Sequence, residues 1–200
     1  MKKRWLLFCE QQHVFGRGVY EILYGHYTER HRAYHTLAHI AHCLREFDTA
    51  KHLAKNPVAV ELALWFHEVI YDPWKKDNEE LSALLAEEII EEMDLSCSKE
   101  VGTLILATKH LTIPKSIDAQ LVVECDLAIL GQEEKIFAVH EKQIRKEYHW
   151  VPEQLYKEKR AVILHQFLDR PSLYATPFFR EKYEQQARKN ISQSLRHHMI

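Results

Sequence analysis

Residues 30–42, "RHRAYHTLAHIAH", hold four histidines: His31, His35, His39 and His42. Imidazole ligates divalent metals through one ring nitrogen and carries protons near neutral pH. Two of them one helical turn apart can share an ion, or one can ligate while the other donates a proton. His35 and His39 have that i, i+4 spacing if a helix spans 36–55, and His42 then lies on the same broad side. The chain carries 14 histidines in 200 residues, however, so crowding alone also fits rings that merely cap and pack. Partners elsewhere in the chain must decide.

The first partner segment is "PVAVELALWFHEVIYDP". From Val58 to Phe66 it is almost wholly apolar, which predicts a buried helix. At its end it presents His67 and Glu68, and one turn later Tyr71 and Asp72. A carboxylate carried out of a core helix is expensive unless it is paired or metal-bound. The second is "LVVECDLAIL", in which Asp126 is flanked by Val122, Val123, Leu127, Ile129 and Leu130. His39, His67, Glu68 and Asp126 are thus two imidazoles and two carboxylates from three elements. That donor set suits a divalent transition metal with open positions for water.

The elements that must position these residues read as helices. Apolar residues recur at helical spacing over 4–24, 36–55, 58–71, 78–94, 98–111, 117–131, 133–149, 153–169 and 178–197. Pro57 starts one of them, Pro73 ends one, and Pro114, Pro152, Pro171 and Pro177 mark later turns. Val122 and Val123 would suit a short strand, but their neighbours favour helix, with Gly131 as its C-cap. The expectation is a single all-α domain over 1–200, a helical bundle, and bundle interiors are common places for metal sites. Trp65, Phe66, Phe137, Trp150 and Phe167 are expected in its core.

Composition narrows the partners. A net charge of −2 and a pI near 6.7 provide no broad basic field for a nucleic-acid duplex. Cys9, Cys43, Cys97 and Cys125 are scattered with no CxxC pair, which fits reduced thiols in a cytoplasmic protein. The apolar run in "MKKRWLLFCEQQH" is too short for a signal peptide or a membrane span. A small anionic substrate would need only a few well-placed cations, and a monomer or homodimer is expected.

The order His…His-acid…Asp on helices resembles the HD superfamily of metal-dependent phosphohydrolases, whose pattern is a histidine, a later His-Asp doublet and a distant aspartate. The resemblance looks closer still to a bacterial branch of about this length, described as predicted HD-superfamily phosphohydrolases. The shared segments are "YHTLAHI", "LALWFHEVIYD", "DNEELSA", "ATKH", "CDLAILG", "IRKEY", "VPEQLY" and "ARKNI", spread over residues 30–192. The resemblance implies a compact HD-like bundle and a divalent ion (Mn, Co, Ni, Zn, Fe or Mg). It also implies a small phosphorylated substrate such as a nucleotide or related phosphoester. His67 and Asp126 are then metal ligands. The similar Tyr-His-Asn-x-x-His stretch of cyclic-nucleotide phosphodiesterases makes His39 the first ligand and His35 the general acid, while simpler HD proteins favour His35 as the ligand. His110 in "ATKH" serves a second metal or the substrate phosphate.

One departure stands out. The doublet here is His67-Glu68, and the extra methylene displaces the carboxylate by about an ångström. Asp72 is placed to compensate as ligand or base, and a degenerate site that binds without catalysing is the alternative. Asp77 and Glu79 in "KKDNEELSA" either cap the following helix or orient a ligand histidine. Arg145 and Arg160 belong to a solvated basic face or turn inward to clamp a phosphate.

Overall fold

The structure is a computed structural model that describes residues 1–198. It is all-α: no strand occurs among the described residues. The helices are α1 (Lys2–Gln11), α2 (Arg17–Tyr27), α3 (Leu37–Ala50), α4 (Pro57–Phe66), α5 (Asn78–Glu92), α6 (Ser98–Leu106), α7 (Ile117–Leu127), α8 (Glu134–Glu147), α9 (Glu153–Leu168) and α10 (Pro177–His198). The chain divides into two compact units, Met1–Cys125 and Asp126–Ile200. The division falls inside α7, so Asp126 is the next residue of a helix that the first unit has already placed.

The first unit is organised around α4. Asn56 caps it by accepting the Ala59 N–H, and Pro57 occupies its first turn, where no N–H is missed. Every residue from Ala59 to Phe66 is buried, as its apolar run requires. Glu61 tolerates this because Arg4 and Lys51 each bring a nitrogen within 3.1 Å of its carboxylate. Trp5 of α1 packs edge-on to Trp65, with ring centroids 5.3 Å apart. Asp118, buried at the first turn of α7, accepts the backbone N–H groups of Lys55 and Asn56 at 2.7 and 3.0 Å. It thereby ties the N-terminal ends of α4 and α7 together.

Several expected boundaries move, for local reasons. The helix expected over 4–24 breaks at His13, whose φ is 57°, and resumes after Gly16, where a Cβ would lie 2.1 Å from Cys9 Sγ. The helix expected over 58–71 stops at Phe66. Beyond it, Arg32 draws off the carbonyls of Glu68 and Val69, while Ser82 Oγ accepts the Ile70 N–H. Side chains have replaced the next helical rungs. The "VVECDLAILG" segment is helical, but Gly131 is no left-handed cap, since no glycine has a positive φ.

In the second unit that glycine does something else. Tyr183 of α10 lies against it so closely that a Cβ would come within 2.5 Å of the tyrosine's own Cβ. Asn190 Nδ2 donates to the carbonyls of Leu130 and Gln132 at 2.8 Å each, fixing α10 to the turn at 128–131. Phe137 is buried as expected, whereas Trp150 is 38% exposed at the α8–α9 turn. Glu141 on α8 pairs with Arg160 on α9 and accepts the Ser194 hydroxyl at 3.0 Å. Burial opposes ionisation of Glu141, but the charge and hydrogen bonds of Arg160, helped by His140 and Ser194, hold its carboxyl below the usual range. A group with a depressed folded pKa stabilises the fold above the ordinary carboxylate range and loses that contribution as pH falls through the lower folded value. Urea midpoints of this unit should therefore drop through the acid range in the wild type. They should start lower and vary less with pH in Glu141→Gln.

Candidate metal centre

A single buried side chain builds the frame of the site. Arg32 lies in the segment between α2 and α3 with its guanidinium fully buried. Its Nε donates to Glu29 Oε2 at 2.9 Å. Nη1 donates to the carbonyls of His35 and Glu68 at 3.0 and 2.7 Å, and Nη2 to that of Val69 at 2.9 Å. Its Cζ lies over the rings of Tyr27 and Tyr71, 5.3 and 5.4 Å from their centroids. The flat, five-donor fork of arginine can satisfy several carbonyls at once, which an ammonium could not do in this geometry. The turn that follows α4 is thus fastened to the strand of chain that leads into α3.

That chain enters α3 later than the spacing alone suggests. Thr36 is the N-cap, accepting the Ala38 N–H at 3.3 Å, and the helix begins at Leu37. His35 therefore stands outside the helix, and the expected i, i+4 pair of His35 and His39 on one helix face is not formed. Their rings still meet edge to face, with centroids 5.9 Å apart, because the capping turn folds His35 back. The helical i, i+4 partner of His39 is Cys43, one turn on.

His39, Cys43, His67 and Asp126 each bring a ligand atom within 4.8 Å of all the others. Cys43 and Asp126 are their outlying chemistry: the first three residues are buried, while Asp126 is half-buried. His39 Nε2 lies 3.1 Å from His67 Nε2. His67 Nδ1 lies 3.1 Å from the Leu64 carbonyl, which can only accept, so Nδ1 carries the proton and Nε2 presents its lone pair. Two nitrogens about 2.05 Å from a common ion stand about 3.1 Å apart when the angle at the ion is roughly 98°. The observed spacing is that of a hydrogen-bonded pair, and it is also compatible with two ligands to one ion. The donor set and its geometry fit a divalent metal.

The other expected residues lie as follows. Glu68 is not one of the four. Its Oε1 faces His35 Nε2 at 3.9 Å, and His35 stacks on Tyr71 with centroids 4.2 Å apart. Asp72 forms a turn, accepting the Trp74 N–H on Oδ1 at 2.9 Å, while Asn78 bonds its backbone on both sides. Asp77 occupies the N-cap position of α5 without a side-chain cap bond, and Glu79 follows in the first turn. Both contribute negative potential at Lys109, which pairs with Glu80. His110 ends the short turn 107–109 with φ 56° and ψ 20°, a conformation that needs support in a non-glycine residue. Arg145 donates to Val151 O and pairs with Glu153, closing the α8–α9 turn, and Arg160 is taken up by Glu141.

Cys43 and Arg32 are the two residues that reading the sequence passes over. The i+4 spacing of Cys43 from His39 was an available signal. Arg32 acts on backbone carbonyls, for which side-chain patterns hold no signal. No protein-family model, no curated protein and no solved structure matches this chain.

Proposed function

We propose that this chain is a metal-dependent phosphohydrolase of HD type, acting on a small phosphorylated molecule such as a nucleotide or related phosphoester. The observation that carries this reading is the convergence of His39, His67 and Asp126, from α3, the end of α4 and α7, in the chain order that the resemblance requires. A divalent ion in such a site supplies Lewis acidity toward a phosphoryl oxygen and lowers the pKa of water. The chain's own residues do the rest. His67 is held in one tautomer by Leu64 O, so its donor nitrogen is aimed before any ligand arrives. His35, stacked on Tyr71 and faced by Glu68, is the group placed to return a proton to the leaving oxygen. A carboxylate, Asp72 or the Glu68 that faces His35, takes the proton from water.

A second reading is favoured by the presence of Cys43 in the cluster. Four protein donors complete a tetrahedral ion, the pattern of a structural site, whereas the hydrolase needs an ion that expands to five-coordination to take a water. A non-catalytic metal-binding module would look the same at this level. Purified protein of defined metal content, screened against a panel of phosphomonoesters, phosphodiesters and nucleotides, separates the two. Turnover that scales with metal occupancy and disappears in His67→Ala is the expected result. Full occupancy with no turnover across the panel would reject the hydrolase in favour of the binding module.

A further inference from the structure

We infer that Cys43 is a metal ligand through its thiolate, and that the centre therefore selects a zinc-like ion (Zn, Co or Fe(II)) over Mg or Mn. This rests on the metal centre of the proposed function, and not on its hydrolysis. Three observations carry it.

The first is placement. Cys43 is fully buried on α3, one turn from His39, with Sγ 3.6 Å from His39 Nε2 and within 4.8 Å of the donor atoms of His67 and Asp126. The second is environment. A buried structural cysteine behaves as a small hydrophobe among apolar neighbours, whereas this one lies among two imidazoles and a carboxylate. The third is donor chemistry. Sulfur with two imidazole nitrogens and one carboxylate is a borderline-soft set, to which zinc, cobalt and ferrous ions are suited. Mg demands oxygen ligands in an octahedron.

Loading involves a small local change. Sγ is almost equally far from the two ring nitrogens of His39, 3.6 and 3.7 Å, so the sulfur lies beside the imidazole and not on the axis of Nε2. Binding turns the Cys43 side chain about its Cα–Cβ bond toward the ion. The thiol proton leaves to solvent, and the proton shared by the two Nε2 atoms moves to His39 Nδ1, so that both imidazoles stay neutral and each ligates through a free Nε2 lone pair.

The test loads the purified full chain with Co(II) and, separately, with Zn(II). The wild type and Cys125→Ser should show visible d–d bands together with an intense near-ultraviolet thiolate-to-cobalt band. Cys43→Ser should lose the near-ultraviolet band and keep the d–d bands. Zinc-edge X-ray absorption of the wild type, which needs no variant to fold, should show one sulfur at about 2.3 Å. Visible bands without a thiolate band, with a sulfur-free zinc shell, would overturn this inference and leave the metal centre standing. Failure of either ion to bind at all would overturn both.

Discussion

His67→Ala is expected to abolish divalent-ion binding by the purified protein. Loss of an outer partner of a ligand already costs about 10–100-fold in metal affinity, so loss of the ligand itself should cost more than about 100-fold. His67 is the member of the cluster whose tautomer is fixed by the backbone, and its Nε2 is the one nearest to His39. Metal analysis of the isolated protein should fall from about one equivalent to near none. Stability should follow. An ion at a hundredfold excess over Kd adds about 2.7 kcal/mol to the native state. At about 2–4 °C per kcal/mol for a protein of this size, wild type should melt about 5–10 °C higher with metal than with chelator. His67→Ala should show no such difference. Glu68→Ala is expected to keep both the metal and the shift, because its carboxylate faces His35 and stands outside the four-donor set. Equal melting of wild type with metal and with chelator would count against a preformed centre.

The second large effect concerns Arg32. Arg32→Met keeps much of the stem's volume but removes every donor. The carbonyl of Val69 then loses its partner in a buried place and those of His35 and Glu68 in half-buried ones, and an unsatisfied buried acceptor costs about 1–3 kcal/mol. Neighbouring acceptors do not add fully, so the expected loss is about 3–5 kcal/mol, measured as ΔG of urea unfolding. Arg32→Lys should recover little, since a single ammonium cannot reach three carbonyls and also fill the space between Tyr27 and Tyr71. Metal affinity should fall along with stability, because the turn carrying His67 and the segment carrying His35 would no longer be fastened together. A stability change below about 1 kcal/mol would show that the clamp is ornamental.

How far the sequence reveals all this differs from residue to residue. The all-α class is legible because apolar spacing near 3.6 residues is a property of side chains alone, and it persists wherever a helix must bury a face. The buried course of α4 is legible for the same reason. His39, His67 and Asp126 stand out as polar groups attached to apolar elements, where burial demands a partner. Boundaries are harder to read. The end of α4 at Phe66 depends on Arg32 and Ser82, which are 34 and 16 residues away in the chain, and on hydrogen bonds to backbone groups that every residue has. The start of α3 at Leu37, and with it the separation of His35 from the helix face, turns on one hydroxyl cap. Cys43 reads as one of four scattered thiols until α3 sets its direction.

The tie made by Asp118 has a consequence for how such a chain can diverge. It gives α4 and α7 a common origin, and each helix then delivers a donor at its far end: His67 eleven residues after Asn56, and Asp126 eight residues after Asp118. Each helix acts as a ruler at about 1.5 Å and 100° per residue. Adding or deleting one residue within either ruler would carry its donor off by that step and point it away from the other donors. The exposed loop at 111–116 lies before the α7 origin and can absorb a change of length. Substitution can therefore explore the surface of this unit freely, while a change in the length of either helix would misplace a donor.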